Sequence, residues 1–310
     1  MADIAPLVSI VIPARNHARY LPQAVRSALG QDYPRVELIV LDDGSTDNTR
    51  EVLARLPGAF RWESHGHMGQ AQTQNKGWQM ARGEILAYLS ADDTLASGAV
   101  AAAVSAFAAT PEAVATYCDF ELIDPASRVI RTVRAPAFDY SRLAAELECA
   151  PGPGAFFRRA AWERAGGWNP VLRQMPDYDF WLRLGLQGPF VHIPRVLAQF
   201  RVHAASQTFS RATEVLADEP QRIIGEFFAR ADLPDDIRVL HPRALAKANL
   251  VSAQLHFRAG RWRRAFQRLR AARAAGSGHI GATGSFRLAV NALFNRAGHR
   301  ALWTLRDLFS

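Results

Sequence analysis

Through the first third of the chain, short runs of consecutive apolar residues alternate with stretches that are apolar only at helical spacing. Residues 8–12, apart from Ser9, are apolar and β-branched and stop at Pro13, the pattern of a buried strand. Leu21, Ala24, Val25, Ala28 and Leu29 then share one helical face, which Gly30 ends. Residues 36–41 form a second apolar run, followed by a turn-rich stretch over 42–49. There Asn48 and Glu51 match a capping box for a helix continuing through Val52 and Leu53. Trp62 marks a short strand, residues 69–82 a loop and helix, and residues 85–89 a third buried run that delivers Asp92 and Asp93. Strands and helices in this alternation predict a parallel sheet covered on both faces.

The rhythm changes at Val114. Shorter strand patterns over 114–117, 129–133, 190–193 and 197–201 are split by loops and by a Trp-containing helix near residues 179–186. Beyond about residue 210 the strand signals stop. Residues 244–259, the Gly260 break and residues 261–275 predict a helical hairpin, and Phe286, Val290, Leu293, Phe294, Ala297, Ala301, Leu305 and Leu308 make one stripe on a final helix. The expected organisation is an α/β domain over 1–210, in two halves (1–110 and 111–210), then an all-α, basic region over 211–310.

Charge sharpens that division. The first 210 residues carry 20 Lys and Arg against 21 Asp and Glu, whereas the last 100 carry 17 against 8, so the net charge of +8 belongs to the helical region. The final helix adds Arg287, Arg296, Arg300 and Arg306 to its apolar stripe, which suits contact of residues 285–309 with an anionic membrane surface; packing on the α/β domain is the alternative. No nucleic-acid module is recognisable, so a nucleic-acid partner is not expected. Cys118 and Cys149 are the only cysteines, without metal-type spacing, and no segment has signal-peptide or membrane-spanning character. The expectation is a cytoplasmic protein, peripheral at most to the inner face of the membrane.

The chemistry lies in the acids. Asp42-Asp43 and Asp92-Asp93 each follow a buried run, and Asp177 and Asp179 come later. In an open α/β sheet, acids at the carboxyl ends of parallel strands face a common crevice. Such a set suits a divalent cation carrying a diphosphate, with a general base nearby. Backbone N–H groups after Gly69, with side-chain donors from Gln70, Asn75 and Lys76, could meet phosphate oxygens at a helix start. No glycine-rich loop follows the first strand, which argues against a nucleotidyltransferase, and no G-x-G-x-x-G follows any strand, which excludes a dinucleotide dehydrogenase.

Several stretches occur in the order found in family 2 glycosyltransferases: Ile12-Pro13-Ala14-Arg15-Asn16, Asp42-Asp43-Gly44-Ser45, Gly69-Gln70 with Asn75-Lys76-Gly77, Gly83-Glu84 and Asp92-Asp93. Phe156-Phe157-Arg158-Arg159, Gly166-Gly167-Trp168, residues 177–183 and Arg201-Val202-His203 continue the series. Over its first two-thirds the chain resembles that family, which implies the GT-A fold, a Rossmann-like open mixed sheet flanked by helices. The resemblance implies that Asp43 holds the base in a cradle with Pro13 and Arg15, and that Asp93 coordinates Mn2+ or Mg2+. It further implies that Asp92 reaches the ribose or a metal-bound water, that His203 adds a metal or diphosphate contact, and that Asp177 is the catalytic base. The implied reaction is inverting transfer from a nucleoside diphosphate sugar, UDP-linked by expectation, to a glycan or lipid-linked acceptor in cell-surface polysaccharide or glycolipid synthesis. The alternative is a non-catalytic nucleotide-sugar-binding or assembly protein on the same fold. Three positions depart from the family pattern: Arg15 stands where an aromatic is frequent, Gln74 where Arg is frequent, and Pro176 where Glu is frequent.

Overall fold

The structure is a computed structural model that describes residues 5–203 and 212–276. The chain divides into two units, Met1–Tyr140 with Cys149–Ser206, and Ser141–Glu148 with Gln207–Ser310.

The first unit opens with β1 (Val8–Ala14), α1 (Leu21–Leu29), β2 (Val36–Asp43), α2 (Thr49–Arg55), β3 (Arg61–His65), α3 (Gln70–Met80) and β4 (Ile85–Tyr88). It continues through β5 (Thr94–Leu95), α4 (Ala99–Ala109), β6 (Ala115–Ile123) and β7 (Val129–Val133). The short α5 (Tyr140–Glu146) lies almost wholly in the second unit, and β8 (Phe156–Arg158), α6 (Arg159–Ala165), α7 (Pro176–Gly185) and β9 (Phe190–Arg201) complete the first. The described strands form one mixed sheet in the order β3-β2-β1-β4-β8-β6-β9-β5, with β7 paired to β6. β1, β2, β3 and β4 run parallel, β8 turns antiparallel against β4 and β6, and β6 and β9 pair in parallel.

Every residue of β1 is buried, as a parallel strand covered on both faces requires. On one face Leu21, Ala24, Val25 and Ala28 of α1 and Val100, Ala103 and Phe107 of α4 pack with Ile10, Ile12 and Val40. On the other, α3 closes on β1 and β2 through Gly77, where a Cβ would run into Val11. Behind α3, Trp78 stacks on Phe180 at 5.5 Å and meets Phe157 and Trp168 edge-on at 5.2 and 5.7 Å. Each such buried side chain stabilises the fold by about 1.5–3 kcal/mol.

Local details differ from the sequence expectation. Asn48 makes no side-chain cap to α2; Asp47 accepts from Thr49 N at 3.0 Å instead. The two strands expected over 190–193 and 197–201 are one strand, β9. Its register jumps from Ile193 opposite Cys118 to Val196 opposite Asp119, so the chain passes Pro194, which has no N–H to give, without ending.

In the second unit, α8 (Glu214–Ala217), α9 (Glu219–Phe228) and α10 (Asp235–Arg238) lead to the hairpin of α11 (His241–Arg258) and α12 (Trp262–Ala275). Ala253, Phe257, Ala265 and Leu269 form its core, and Gly260 turns the chain at φ 79°. Asp218 is the polar centre, accepting from Ser252 and His256 at 2.9 Å each and pairing with Arg268 at 2.6 Å. Among the described residues no helix is long and apolar enough to cross a membrane, and the stripe expected over 285–309 lies outside them.

Candidate functional site

The parallel strands β1, β2 and β4 end side by side, and the loops that leave them are tied together. Asn16, at φ 57°, accepts from Thr46 N at 2.8 Å and donates its own N–H to Ser45 Oγ at 2.9 Å. His17 N reaches Thr49 Oγ1 at 3.1 Å. Pro13 is buried within β1, and Arg15 is exposed just beyond it.

Asp42 and Asp43 end β2 and are both buried. Asp42 turns inward, accepting from Ser64 Oγ at 2.7 Å and Ser45 N at 3.2 Å. Asp43 gathers the loop before α3: Met68 N lies at 2.7 Å, Gly69 N at 3.0 Å and His67 Nδ1 at 2.8 Å. Gly44 permits the approach, because at φ 66° a Cβ would sit 2.7 Å from His67 N. His65 Nδ1 stands 3.8 Å from Asp43, and its Nε2 is buried with no hydrogen-bond partner among the described residues.

The predicted phosphate donors take separate places. Gly69 gives its N–H to Asp43. Gln70 Nε2 donates to the Tyr88 hydroxyl at 2.9 Å. Asn75 accepts from Trp168 N at 2.8 Å and donates to Trp168 O at 2.7 Å, so its amide is a backbone clamp, and Lys76 is paired with Glu63. Asn75 and Lys76 therefore serve other partners than a phosphate here.

After β4 the chain turns through Ser90, and the two acids separate. Asp92 accepts from Ser90 Oγ at 2.5 Å and meets His203 Nε2 at 2.9 Å, with His17 Nε2 at 3.9 Å. Burial by itself would raise its carboxyl, but the bonds from His203 and Ser90 and the charge of His17 hold it below the usual range. Asp93 points into the protein, 4% exposed, and accepts from Arg201 N at 2.8 Å. Burial, then the charge of Asp92, pushes its carboxyl well up. Arg201 is buried and spans the site's floor, donating to Asp92 O at 2.9 Å and Gln23 Oε1 at 2.8 Å while its guanidinium lies over Tyr20. The Tyr20 ring meets His203 at 5.0 Å.

Asp177 is the second residue of α7, behind Pro176, with its side chain open to solvent but ringed by protein. That surrounding mass raises its carboxyl, opposed only by backbone N–H groups at the helix start. Asp179, one helical turn before Arg183, pairs with it at 2.7 Å, and Arg183 also holds Gly167 O at 2.7 Å. Phe156 and Phe157 are buried, and Arg158 and Arg159 bind backbone carbonyls.

Tyr88 joins these groups. Burial, and more weakly the charges of Asp93, Asp92 and Asp177, push its phenol up against the opposing hydrogen bond with Ser90. Asp43 is linked to the same oxygen through Gly69 and Gln70. Tyr88 and His17 were not singled out from the sequence, and Trp168 entered it only as a motif residue without a role. The position of Tyr88 at the end of a buried strand, two residues before the acidic turn, was the available signal.

For a divalent cation, the donors that fit are the Asp92 carboxylate and the His203 imidazole, which already meet. Among the described residues no group of three or more His, Cys, Asp or Glu could hold a metal ion. A two-donor set fits a cation that keeps waters and takes its remaining ligands from a diphosphate.

Residues 9–164 match the family model described as Glycosyl transferase family 2. The chondroitin synthase of Escherichia coli is 29% identical over 230 residues, covering 73% of this chain; the chain spans only 33% of that relative's length. Among solved structures, S. aureus TarS 1-349 in complex with UDP-GlcNAc superposes with a TM-score of 0.64 at 15% identity, covering 87% of this chain and 91% of that one. The mannosyltransferase PcManGT from Pyrobaculum calidifontis, in complex with GDP-Man and Mn2+, gives 0.63 at 21%, covering 97% and 84%. These likenesses establish the GT-A fold.

Proposed function

The chain belongs to glycosyl transferase family 2, and from that footing we propose that it moves a sugar from a nucleoside diphosphate to an acceptor hydroxyl, with inversion and with a divalent cation. The observation that carries this reading is the meeting of the Asp92 carboxylate and the His203 imidazole at 2.9 Å, just beyond the end of β4.

Asp43 and the unpartnered His65 Nε2 face the nucleoside, with Pro13 and Arg15 on the adjoining strand end. Asp92 and His203 hold Mn2+ or Mg2+, and the buried Asp93 positions them by fixing Arg201. This reverses the order suggested by the family resemblance, because only Asp92 has an oxygen beside a second candidate ligand. When bound, the cation would neutralise charge building on the departing diphosphate. Asp177 accepts the acceptor's hydroxyl proton as that oxygen bonds to the anomeric carbon and the carbon–diphosphate bond breaks. Its raised carboxyl makes it a stronger base than an ordinary aspartate.

UDP-GlcNAc on TarS and GDP-Man with Mn2+ on PcManGT support the donor class and the use of a cation, and uridine is the base to test first. The chondroitin synthase relative supports a glycan acceptor in polysaccharide synthesis, with a lipid-linked acceptor as the variant that would use an anionic membrane surface through residues 285–309. The test is a panel of nucleotide sugars followed by thermal shift and by nucleoside diphosphate release, with and without Mn2+. At least one donor should stabilise the chain and be turned over. Binding without turnover of any donor, with acceptors supplied, would indicate the non-catalytic assembly protein instead.

A further inference from the structure

The positive charge of the helical unit gathers on one face of α12. From residue 237 to residue 306 the chain has fourteen Lys and Arg and no Asp or Glu. α12 itself carries five arginines and no acid. Two of them are engaged within the unit, Arg264 with Glu214 and Arg268 with Asp218 at 2.6 Å. Arg263, Arg270 and Arg273 are exposed and pair with no carboxylate among the described residues.

The same face exposes two large rings. Trp262 is 40% and Phe266 54% exposed, each meeting Phe257 edge-on, at 5.4 and 5.5 Å. At 3.6 residues per turn, Trp262, Arg263, Phe266, Arg270 and Arg273 fall within about 100° of arc. Beside them runs the stripe of Ala265, Leu269 and Ala272 that α12 buries. The helix thus packs with one side and presents an aromatic ridge set among arginines on another.

Whatever covers those rings must also bring negative charge. The residues after Gly276 bring Arg287, Arg296, Arg300 and Arg306 against Asp307 alone, and a second copy would present the same arginines, so like charge opposes both. A helix ridge is convex and suits a deformable plane better than a partner with a fixed pocket. Arginine heads among Trp and Phe rings are a side-chain set suited to the boundary between lipid headgroups and acyl chains.

We propose that this face of α12 docks on an anionic phospholipid membrane. Trp262 and Phe266 enter the headgroup boundary, and Arg263, Arg270 and Arg273 meet lipid phosphates. The surface is separate from residues 285–309 and does not depend on the transferase reading.

Co-sedimentation of the full chain with phosphatidylglycerol–phosphatidylcholine vesicles, and with phosphatidylcholine alone, tests it. The chain should bind the anionic vesicles at low salt, leave them as salt rises, and ignore the neutral ones. Arg263→Gln, Arg270→Gln and Arg273→Gln together should weaken binding about a hundredfold, about fivefold for each arginine. Their exposure predicts an unchanged thermal midpoint. Trp262→Ser with Phe266→Ser should weaken vesicle binding about tenfold and leave retention on heparin, a soluble polyanion, within about twofold. Should that variant lose its fold, the arginine variant decides. Vesicle binding that survives the three arginine substitutions, or that is lost only when Arg287, Arg296, Arg300 and Arg306 are replaced by Gln, would overturn the inference. So would equal binding to neutral vesicles, or vesicle binding indifferent to the loss of both rings, which would make the face a site for any polyanion.

Discussion

Asp177 and Asp218 both sit at helix starts, one in each unit, and their carboxyls move in opposite directions. Asp218 is desolvated, but Arg268, His256 and Ser252 more than offset the cost, and its pKa drops to about 2. Asp177 has only backbone N–H groups against the surrounding protein, and its pKa rises. The helical unit surrounds its central acid with Arg268, His256 and Ser252, whereas Asp177 in the sheet unit is met only by backbone N–H groups of its own helix start. A folded chain tolerates unpaired acids chiefly where a ligand or a proton will meet them. On the proposed reading, a structural carboxylate and a working one are told apart by their partners.

The largest effect is expected at the proposed base. Asp177→Asn should lower transfer about a thousandfold, the usual span for losing a positioned base, with donor affinity and thermal stability retained. In the unaltered enzyme, kcat/KM should climb with pH through a carboxyl pKa above the ordinary value of about 4. A limb lying at or below that value would break the contrast. Next, Asp92→Asn should weaken nucleotide-sugar binding in the presence of cation about a hundredfold, because the carboxylate is one of the two metal donors proposed among the described residues.

Asp218→Asn should do the reverse, costing about 2 kcal/mol of stability by losing hydrogen bonds to charged groups while leaving kcat intact. The sign of its pH dependence is fixed by the depressed pKa. Its stabilisation is full above the unfolded value near 3.8 and is lost as pH falls through about 2, so acid unfolding of the variant should be flatter over that window. The smallest effect is expected at Asn75, a polar residue of the sheet unit that is already satisfied. Asn75→Ala should cost about 1–2 kcal/mol by orphaning the Trp168 backbone, with only a modest rise in KM.

The placement of the acids was legible because it is local: a buried run followed at once by Asp reads as a strand end in any parallel sheet. β1, β2 and β4 follow the same local logic. What sequence could not carry was the pairing of distant groups. Asn75 and Trp168 are 93 residues apart, and nothing near either names the other, so Asn75 was read as a phosphate donor. The pairing of Lys76 with Glu63, which lies on β3, was hidden in the same way. Pro194 divided β9 in the reading because a missing N–H normally ends a ladder, while the register jump that accommodates it depends on β6. The greater exposure of Asp92 to candidate ligands over Asp93 was equally hidden, for it follows from Arg201, more than a hundred residues downstream.

The most direct measurement is donor affinity before and after removal of divalent cations, in the unaltered chain and in Asp92→Asn. Chelation should weaken binding at least about tenfold in the unaltered chain and leave the variant, already deprived of its metal donor, nearly unchanged. Equal affinity with and without cation in the unaltered chain, or an equal chelation loss in the variant, would contradict a diphosphate seated against Asp92 and His203.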